Sequence, residues 1–370
     1  MSNNPTKNHE PLFHIVKRSA MPKWQSWLVR IGSVIAALIV CGIVTVLLTG
    51  EDPIQVYVKM VDGAVGSERR LWMLAQNTAM LLCVALAVTP AFKMKFWNIG
   101  AEGQVLVGGL ATATCMIFLG DKLSPAILMI VMVVVSIVAG AVWGLIPAFF
   151  KANWNTNETL FTLMMNYIAM CIVSYFSYEW SVPKGSGHIG VINDATETGW
   201  LPAIGGKAYL CNILIVAVLT VAMYVYLRYS KHGYEISVVG ESENTAKYIG
   251  INVKKVIIRT MILSGALCGI AGFLLVSGTD HTVNRDTAGG RGFTAIMVSW
   301  LAKFNPLAMI FASVLLVFMD RGAEEVTSRL GLNSSYSEIL TGIILFFIIG
   351  CEFFIQYKLV LNHKHKEVKA

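Results

Sequence analysis

Hydrophobic segments long enough to cross a membrane recur along almost the whole chain. A helix needs about 20 predominantly apolar residues to span about 30 Å of hydrocarbon. The pattern predicts about ten transmembrane helices joined mostly by short polar connections. The predicted spans are 28–49, 71–92, 98–119, 125–148, 157–180, 209–228, 258–278, 292–303, 306–321 and 337–357.

The pattern is less regular near the two ends of the apolar region. The short runs 292–303 and 306–321 are separated by Asn305-Pro306, so they are either two crossings or broken, re-entrant segments. The first apolar run follows a basic leader without a good cleavage site, which favours a transmembrane helix over a signal peptide. We therefore expect an all-α integral membrane protein. Its divisions are a leader at 1–27, a polytopic domain at 28–357 and a basic tail at 358–370.

Composition supports this fold class and narrows the partners. Of 370 residues, 55% are hydrophobic and only 14% are charged, whereas soluble domains carry roughly 25% charged residues. The seven cysteines lie in or beside apolar runs without CxxC spacing, which favours buried thiols over disulfides or a metal site. The net charge of +7 comes from basic residues at the chain ends and between spans. This placement indicates membrane lipid, and not nucleic acid, as the surroundings.

The distribution of basic residues predicts the orientation. With the N-terminus inside, the inner segments carry 19 of the 29 Lys and Arg residues, and the outer segments carry 10. Positive charge favours the cytoplasmic side, so both termini are expected there. The long connection 181–208 then lies outside, and the long connection 229–256 lies inside.

A polar cluster opens the third predicted span. It contains Asn98, Gly100, Glu102, Gly103 and Gln104. A carboxylate and two amides at membrane depth are costly unless they face a cavity or pair with neighbours. Asn98 can cap the helix and Glu102 suits its positive end. The alternative to helix capping is that these residues line or gate a transport path.

A second polar cluster opens the fifth predicted span. Asn157 and Glu158 stand at its start, where helix capping and a transport path are both open interpretations. Asn166 lies deeper in the span and shares a helix face with Thr162. That face either lines a passage or makes interhelical hydrogen bonds.

The eighth predicted span opens on a glycine-rich segment, 289–294. Gly289, Gly290 and Gly292 suit an irregular backbone entering a helix, which a membrane tolerates only inside protein or beside water. We assign these glycines and Phe293 to the same path. The third and eighth spans run in opposite directions and both open on a polar, glycine-containing turn. This placement is compatible with an inverted repeat of spans two to five onto seven to ten.

Several short blocks occur in series across roughly residues 70–320. They are Asn98–Gln104 with Val107-Gly108, Asn157-Glu158 with Met165–Ala169, Val239-Gly240 through Ala246–Ile251 into Ser264–Leu267 and Gly269–Gly272, and Gly289-Gly290 with Gly292–Ile296. In this order they resemble the membrane permeases of bacterial ATP-binding cassette (ABC) importers for nucleosides and simple sugars. That group also includes ribose and branched-chain amino acid permeases. Lys95 and Arg291 depart from the family pattern, which leaves the substrate more open than the class.

The resemblance implies the rest of the system. It implies an ABC ATPase subunit, a second permease subunit, an extracytoplasmic substrate-binding lipoprotein and a bacterial plasma-membrane location. A nucleoside is the leading small-molecule substrate, and a simple sugar or a flavin-like solute is the alternative. The chain has no P-loop motif of its own, so a separate subunit is expected to hydrolyse ATP, and no enzyme activity, cofactor or metal is predicted. An ion-coupled secondary transporter is the rival class, with Glu102, Glu158, Asp320 and Glu338 as candidate coupling groups.

The inner connection 229–256 is the expected contact with the ATPase. Ser242 is predicted to cap a short helix, and Gly250 to follow its C-terminus. A helix of about seven residues is marginal alone in water, so it should pack against another surface. The residues assigned to the coupling contact are Glu243, Asn244, Ala246, Tyr248 and Gly250.

Overall fold

The computed structural model describes residues 13–18, 21–333 and 335–361. Residues 1–12 of the predicted leader and 362–370 of the predicted tail lie outside this part of the chain. The described residues form thirteen α-helices and two short strands. The helices are α1 Lys23–Thr49, α2 Pro53–Val65, α3 Glu68–Lys93, α4 Ala101–Leu119, α5 Pro125–Trp154, α6 Glu158–Glu179, α7 Leu210–Tyr229, α8 Lys231–Glu241, α9 Glu243–Tyr248, α10 Val253–Leu275, α11 Arg291–Leu301, α12 Pro306–Leu330 and α13 Ser335–Gln356. The strands are β1 Phe13–Lys17 and β2 Tyr357–Leu361.

The all-α membrane architecture is confirmed. Within the described ranges, nine helices are long and apolar enough to cross a membrane. Each corresponds to one of the predicted spans, and a π-helical turn at Val276–Asp280 continues α10. The remaining predicted span, 292–303, corresponds to α11, which has 11 residues. At 1.5 Å per residue α11 is about 16 Å long, so it enters the membrane domain without crossing it alone.

Three features were not predicted. The helix α2 buries Val56, Met60 and Ala64 on one face, a short amphipathic pattern that a search for 20-residue spans overlooks. The strands β1 and β2 pair antiparallel. The helix α12 runs past its predicted end to Leu330, and its polar last turns are held by ion pairs of Arg329 with Glu325 and Asp62.

The described residues divide into two compact units. One contains the residues up to Ala64 and those from Met319 onward, and the other is Val65–Phe318. In the first, α1 packs against α13, and Arg30 forms an ion pair with Glu352 at 2.5 Å. In the second, α10 is the central helix and packs against α3, α4 and α5. All the polar clusters singled out from the sequence lie in the second unit.

Small residues allow the central helices to approach closely. Gly140 and Gly144 on α5 face Gly265 and Gly269 on α10, a spacing of small residues that is typical of helix packing contacts in membranes. A Cβ atom added at Gly144 would lie 2.7 Å from the carbonyl oxygen of Met261. Since backbone cannot move aside easily, these glycines fix the spacing of the two helices.

The cysteines are all free thiols, and five of them are buried. The expectation that the cysteines are buried is wrong in two cases. Cys171 on α6 is exposed, and Cys211 on α7 is partly exposed. Hydrophobic surroundings in sequence do not distinguish a helix face that packs inside from one that points outward.

Candidate functional site

The chain reverses direction between α3 and α4 in a tight turn. The N–H of Phe96 donates to the carbonyl of Ala91 at 2.9 Å, and Lys95 takes a positive φ of 61°. Lys95 therefore occupies a position that usually favours glycine. The connection has little slack, and it delivers the first turn of α4 directly against α6, α10 and α11.

Asn98 does not cap α4 in the predicted way. Gly100 is the N-cap residue, and no side chain caps this helix end. The Asn98 side-chain oxygen accepts from the N–H of Gly100 at 3.1 Å and from Gln104 Nε2 at 3.3 Å. Its Nδ2 donates to Ser264 Oγ on α10 at 3.2 Å. Asn98 thus fastens the turn to the central helix.

Glu102 joins two helix N-termini. It lies in the first turn of α4, and its two carboxylate oxygens accept from the N–H groups of Gly290 and Gly292, each at 2.7 Å. These donors belong to the start of α11, where the helix dipole favours negative charge. Glu102 is only 2% exposed. One carboxylate therefore stabilises the positive ends of α4 and α11 together.

Glycine is required where these two helix starts meet. Gly289 and Gly290 have φ values of 59° and 71°, which L-residues with side chains rarely adopt. A Cβ atom added at Gly292 would lie 2.5 Å from the backbone nitrogen of Glu102. The glycine run of the sequence is thus explained by backbone conformation and by close approach.

Arg291 does not disrupt this glycine run. Its guanidinium donates to Asn77 Oδ1 on α3 at 3.0 Å and to the carbonyl of Ala288 at 3.2 Å. It therefore ties the start of α11 to α3. The next side chain on the helix surface, Phe293, is partly exposed.

The helix α6 also forms hydrogen bonds with the start of α4. Asn166 Oδ1 accepts from the N–H of Gly103, and Asn166 Nδ2 donates to the carbonyl of Ile99, both at 2.8 Å. Thr162 Oγ1 accepts from the N–H of Ile99 at 3.2 Å. The predicted shared face of Thr162 and Asn166 exists, and it makes interhelical hydrogen bonds.

The two residues at the start of α6 have local partners. Asn157 caps the helix, because its side-chain oxygen accepts from the N–H of Leu160 at 3.1 Å. Glu158 forms an ion pair with Lys151 at 2.9 Å.

We call residues 98–104 and 289–293 with Asn166 the half-helix junction. Four of its polar side chains are sealed inside the chain, since Asn98, Glu102, Gln104 and Asn166 are each at most 2% exposed. Buried polar groups of this kind are stable only when hydrogen-bonded. Hydrogen bonds of Glu102 and Asn166 link α4 to α11 and to α6.

The segment 229–256, which is predicted to be cytoplasmic and to meet a partner, contains α8 and α9. Ser242 caps α9, with its Oγ accepting from the N–H of Thr245 at 3.2 Å, as predicted. Gly250 follows the helix with a φ of 84°. The N–H groups of Gly250 and Ile251 donate to the carbonyls of Lys247 and Ala246 at 3.1 and 2.9 Å, which closes the helix end.

The residues that α9 exposes are only partly those assigned to the partner contact. Ala246 is fully buried, at 0% exposure, and α9 packs on α8 and α10. The expectation that Ala246 contacts a partner is therefore wrong, because its methyl group anchors α9 to its own membrane domain. Tyr248, by contrast, is 93% exposed, and Ile249 is also exposed. The remaining assigned residues, Glu243, Asn244 and Gly250, lie at the surface.

The base of this segment is tied to three transmembrane helices. Gly240 on α8 packs against the carbonyl of Lys93 at the end of α3. His232 bonds to Tyr226 on α7 at 2.5 Å and to Thr260 on α10 at 3.3 Å. Burial lowers the pKa of His232, which favours a neutral ring with one donor and one acceptor nitrogen.

Residues 71–349 match a protein family described as "Branched-chain amino acid transport system / permease component". The matched region contains α4 to α12 completely and most of α3 and α13. It therefore includes the half-helix junction and the whole segment 229–256.

Three relatives align along most of their own length. The glucose ABC transporter permease protein of Haloferax volcanii is 27% identical over 352 residues, covering 92% of this chain and 92% of that protein. The nucleoside ABC transporter permease protein of Lactococcus lactis subsp. cremoris is 29% identical over 339 residues, covering 89% and 91%. The guanosine ABC transporter permease protein of Bacillus subtilis is 28% identical over 313 residues, covering 83% and 88%.

Proposed function

The chain belongs to the permease family that its residues 71–349 match, and from this premise we propose that it carries nucleosides inward across the plasma membrane. It is a multi-pass membrane subunit of an ABC importer. The nucleoside proposal is supported by two relatives, named for nucleoside and guanosine transport, that align over 89% and 83% of this chain. The glucose transporter relative supports a simple sugar as the second candidate.

Membership of this family implies an ATPase component and a substrate-binding component. In our proposal the ATPase is a separate subunit that receives α9 through Tyr248 and Ile249, whose side chains project from a helix fixed to its own domain by Ala246. A second permease subunit completes the path, and a substrate-binding lipoprotein delivers the solute from outside. Exposed aromatic side chains at such contacts supply much of the binding energy.

The half-helix junction controls the path in this proposal. Since Glu102 bonds to the backbone of both Gly290 and Gly292, α4 and α11 move as one unit. Asn98, Gln104 and Asn166 keep this unit in register with α6 and α10 without touching the solute. Closure of the ATP sites reaches the junction through α8, which packs on the end of α3 immediately before the turn into α4.

The proposed function is tested with the complete importer in proteoliposomes. Uptake of radiolabelled guanosine should require ATP inside the vesicles and the binding lipoprotein outside, and excess glucose should not compete. Competition by glucose would favour the sugar alternative. Uptake that persists without ATP at a maintained ion gradient would instead identify an ion-coupled secondary transporter.

A further inference from the structure

The exposed side of α6 carries an unusual series of side chains. Tyr167, Cys171, Ser174 and Tyr178 are separated by three or four positions, so they lie on one side of the helix. All four are exposed, with Tyr167 at 56% and Tyr178 at 61%. We call these four residues the α6 outer stripe. It presents three hydroxyls and one thiol within a helix long and apolar enough to span the membrane.

Neighbouring spans present a different surface. The exposed residues in the middle of α5 are aliphatic, and so are those in the middle of α7. These residues are Ile130, Val134, Val138 and Val142 on α5, and Val218, Val221 and Val225 on α7. Aliphatic faces suit lipid, whereas the α6 outer stripe does not.

Depth in the membrane separates the stripe from an interfacial aromatic belt. Tyrosines are common where a span meets the membrane surface, and Tyr178 lies next to the last residue of α6. Tyr167 and Cys171, however, are nine and thirteen positions after the first residue, Glu158. At 1.5 Å per residue they are roughly 14 and 20 Å along the helix. A belt at either end does not account for polar groups in the middle.

The opposite side of the same helix is already occupied. Thr162 and Asn166 bond to the start of α4 and are buried. Two polar faces on one span mean that α6 separates the half-helix junction from a second polar environment. Polar groups within spans mark solute pathways or protein contacts when they have no place in the lipid.

We propose that the α6 outer stripe lines the water-filled solute path and contacts the nucleoside directly. This rests on the proposed function. The flat rings of Tyr167 and Tyr178 can stack on a nucleobase. Ser174 Oγ donates to the carbonyl of Met170 at 2.8 Å, so its oxygen remains able to accept from a ribose hydroxyl. The solute-facing side of α6 is thus the side opposite the one that the polar pattern at Thr162 and Asn166 suggested.

Cys171 makes the proposal testable without an introduced probe. The complete importer in proteoliposomes is treated with a charged methanethiosulfonate that does not cross lipid. A thiolate displaces methanesulfinate and forms a mixed disulfide, and thiolates form readily in water but poorly in hydrocarbon. We expect Cys171 to be labelled and uptake to fall with the same time course. Mass spectrometry identifies the site, and Cys171→Ser identifies the signal that belongs to it.

A lipid-facing position supplies the matched control. Val138→Cys, introduced together with Cys171→Ser, places a thiol of similar exposure in the middle of α5, since Val138 is 54% exposed. It should react at least about tenfold more slowly with the charged reagent. Equal reaction at both positions would overturn the proposal. Labelling of Cys171 in the isolated chain but not in the complex would also overturn it, because the stripe would then be buried against another subunit.

The substrate is tested separately in the same assay. Guanosine at saturating concentration should slow the labelling of Cys171. If the charged reagent labels Cys171 and blocks uptake while glucose protects and guanosine does not, the stripe still lines the path and the nucleoside assignment fails.

Discussion

The half-helix junction and the helix α9 are both short segments of polar and small residues, yet their side chains are buried to very different extents. At the junction, Glu102 is 2% exposed and bonds to backbone groups of another helix. In α9, Tyr248 is 93% exposed and Ala246 alone is fully buried. The junction residues therefore bond within this chain, whereas Tyr248 on α9 is available to the ATPase contact proposed above.

The largest effect is expected at Glu102. In Glu102→Ala, the N–H groups of Gly290 and Gly292 lose their buried acceptor, at a cost of about 1–3 kcal/mol for each unsatisfied group. Glu102→Gln keeps one acceptor oxygen and should lose less. Guanosine uptake per permease molecule and the thermal unfolding midpoint in detergent should both fall in the order wild type, Gln, Ala. Wild-type values for the Ala variant would show that the bond between α4 and α11 is dispensable.

A smaller loss is expected at Asn166. Asn166→Leu keeps the volume but removes the partners of the Gly103 N–H and the Ile99 carbonyl. Each unpaired buried group costs roughly 1–3 kcal/mol, and neither bond here is charge-assisted. The unfolding midpoint and uptake should fall less than in Glu102→Ala. Asn166→Asp, which still accepts from Gly103, should retain more of both than the Leu variant does.

Gly292→Ala tests the close approach directly. The added methyl group meets the backbone and carboxylate of Glu102 at 2.5 and 2.7 Å, and overpacking of this kind typically costs about 1–3 kcal/mol. Gly342→Ala on α13 is the matched control, because nothing lies within 4 Å of its added Cβ atom. Loss of membrane abundance and uptake in Gly292→Ala but not in Gly342→Ala is the expected result. Similar behaviour of the two variants would argue against a packed junction.

The substitutions with the smallest expected effect test on which side of the membrane α9 lies. In the Cys171→Ser chain, cysteines placed at Gly187, which is partly exposed, or at Thr196, which is exposed, should react with an impermeant thiol reagent in sealed, right-side-out cells. A cysteine at Glu243 should react only after the membrane is opened. These surface changes should leave uptake near normal. Labelling of Glu243→Cys in sealed cells would reverse the orientation and remove α9 from the cytoplasm.

Much of this architecture follows from local patterns in the sequence. The apolar runs predict the long helices, and the caps at Asn157, Ser242 and Gly250 are correct because capping depends on neighbouring residues. The role of Asn98 differs from the prediction because Gly100, Gln104 and Ser264 converge on it from separate elements. Such convergence depends on tertiary packing, which a single sequence does not display.

The inward and outward faces of a helix were the hardest to separate. Ala246 suits either a partner contact or an internal anchor, and only the packing on α8 and α10 identifies it as an anchor. The polar residues Thr162 and Asn166 indicate a polar face on one side of α6. Tyr167 and Cys171 on the other side give no comparable signal, because tyrosine and cysteine are compatible with a membrane span. Hydropathy identifies a membrane span but does not show which face of the helix packs inside the protein.

The most direct test of the central claim measures ATPase retention and uptake in the same membranes for two variants. Tyr248→Asp changes an exposed side chain, so the chain should fold normally while the ATPase binds roughly 30-fold more weakly, as for an aromatic hot spot of about 2 kcal/mol. Glu102→Gln should retain the ATPase at wild-type levels but show reduced uptake. Full ATPase retention and uptake in Tyr248→Asp, or loss of the ATPase in Glu102→Gln, would contradict the division of roles between the junction and α9.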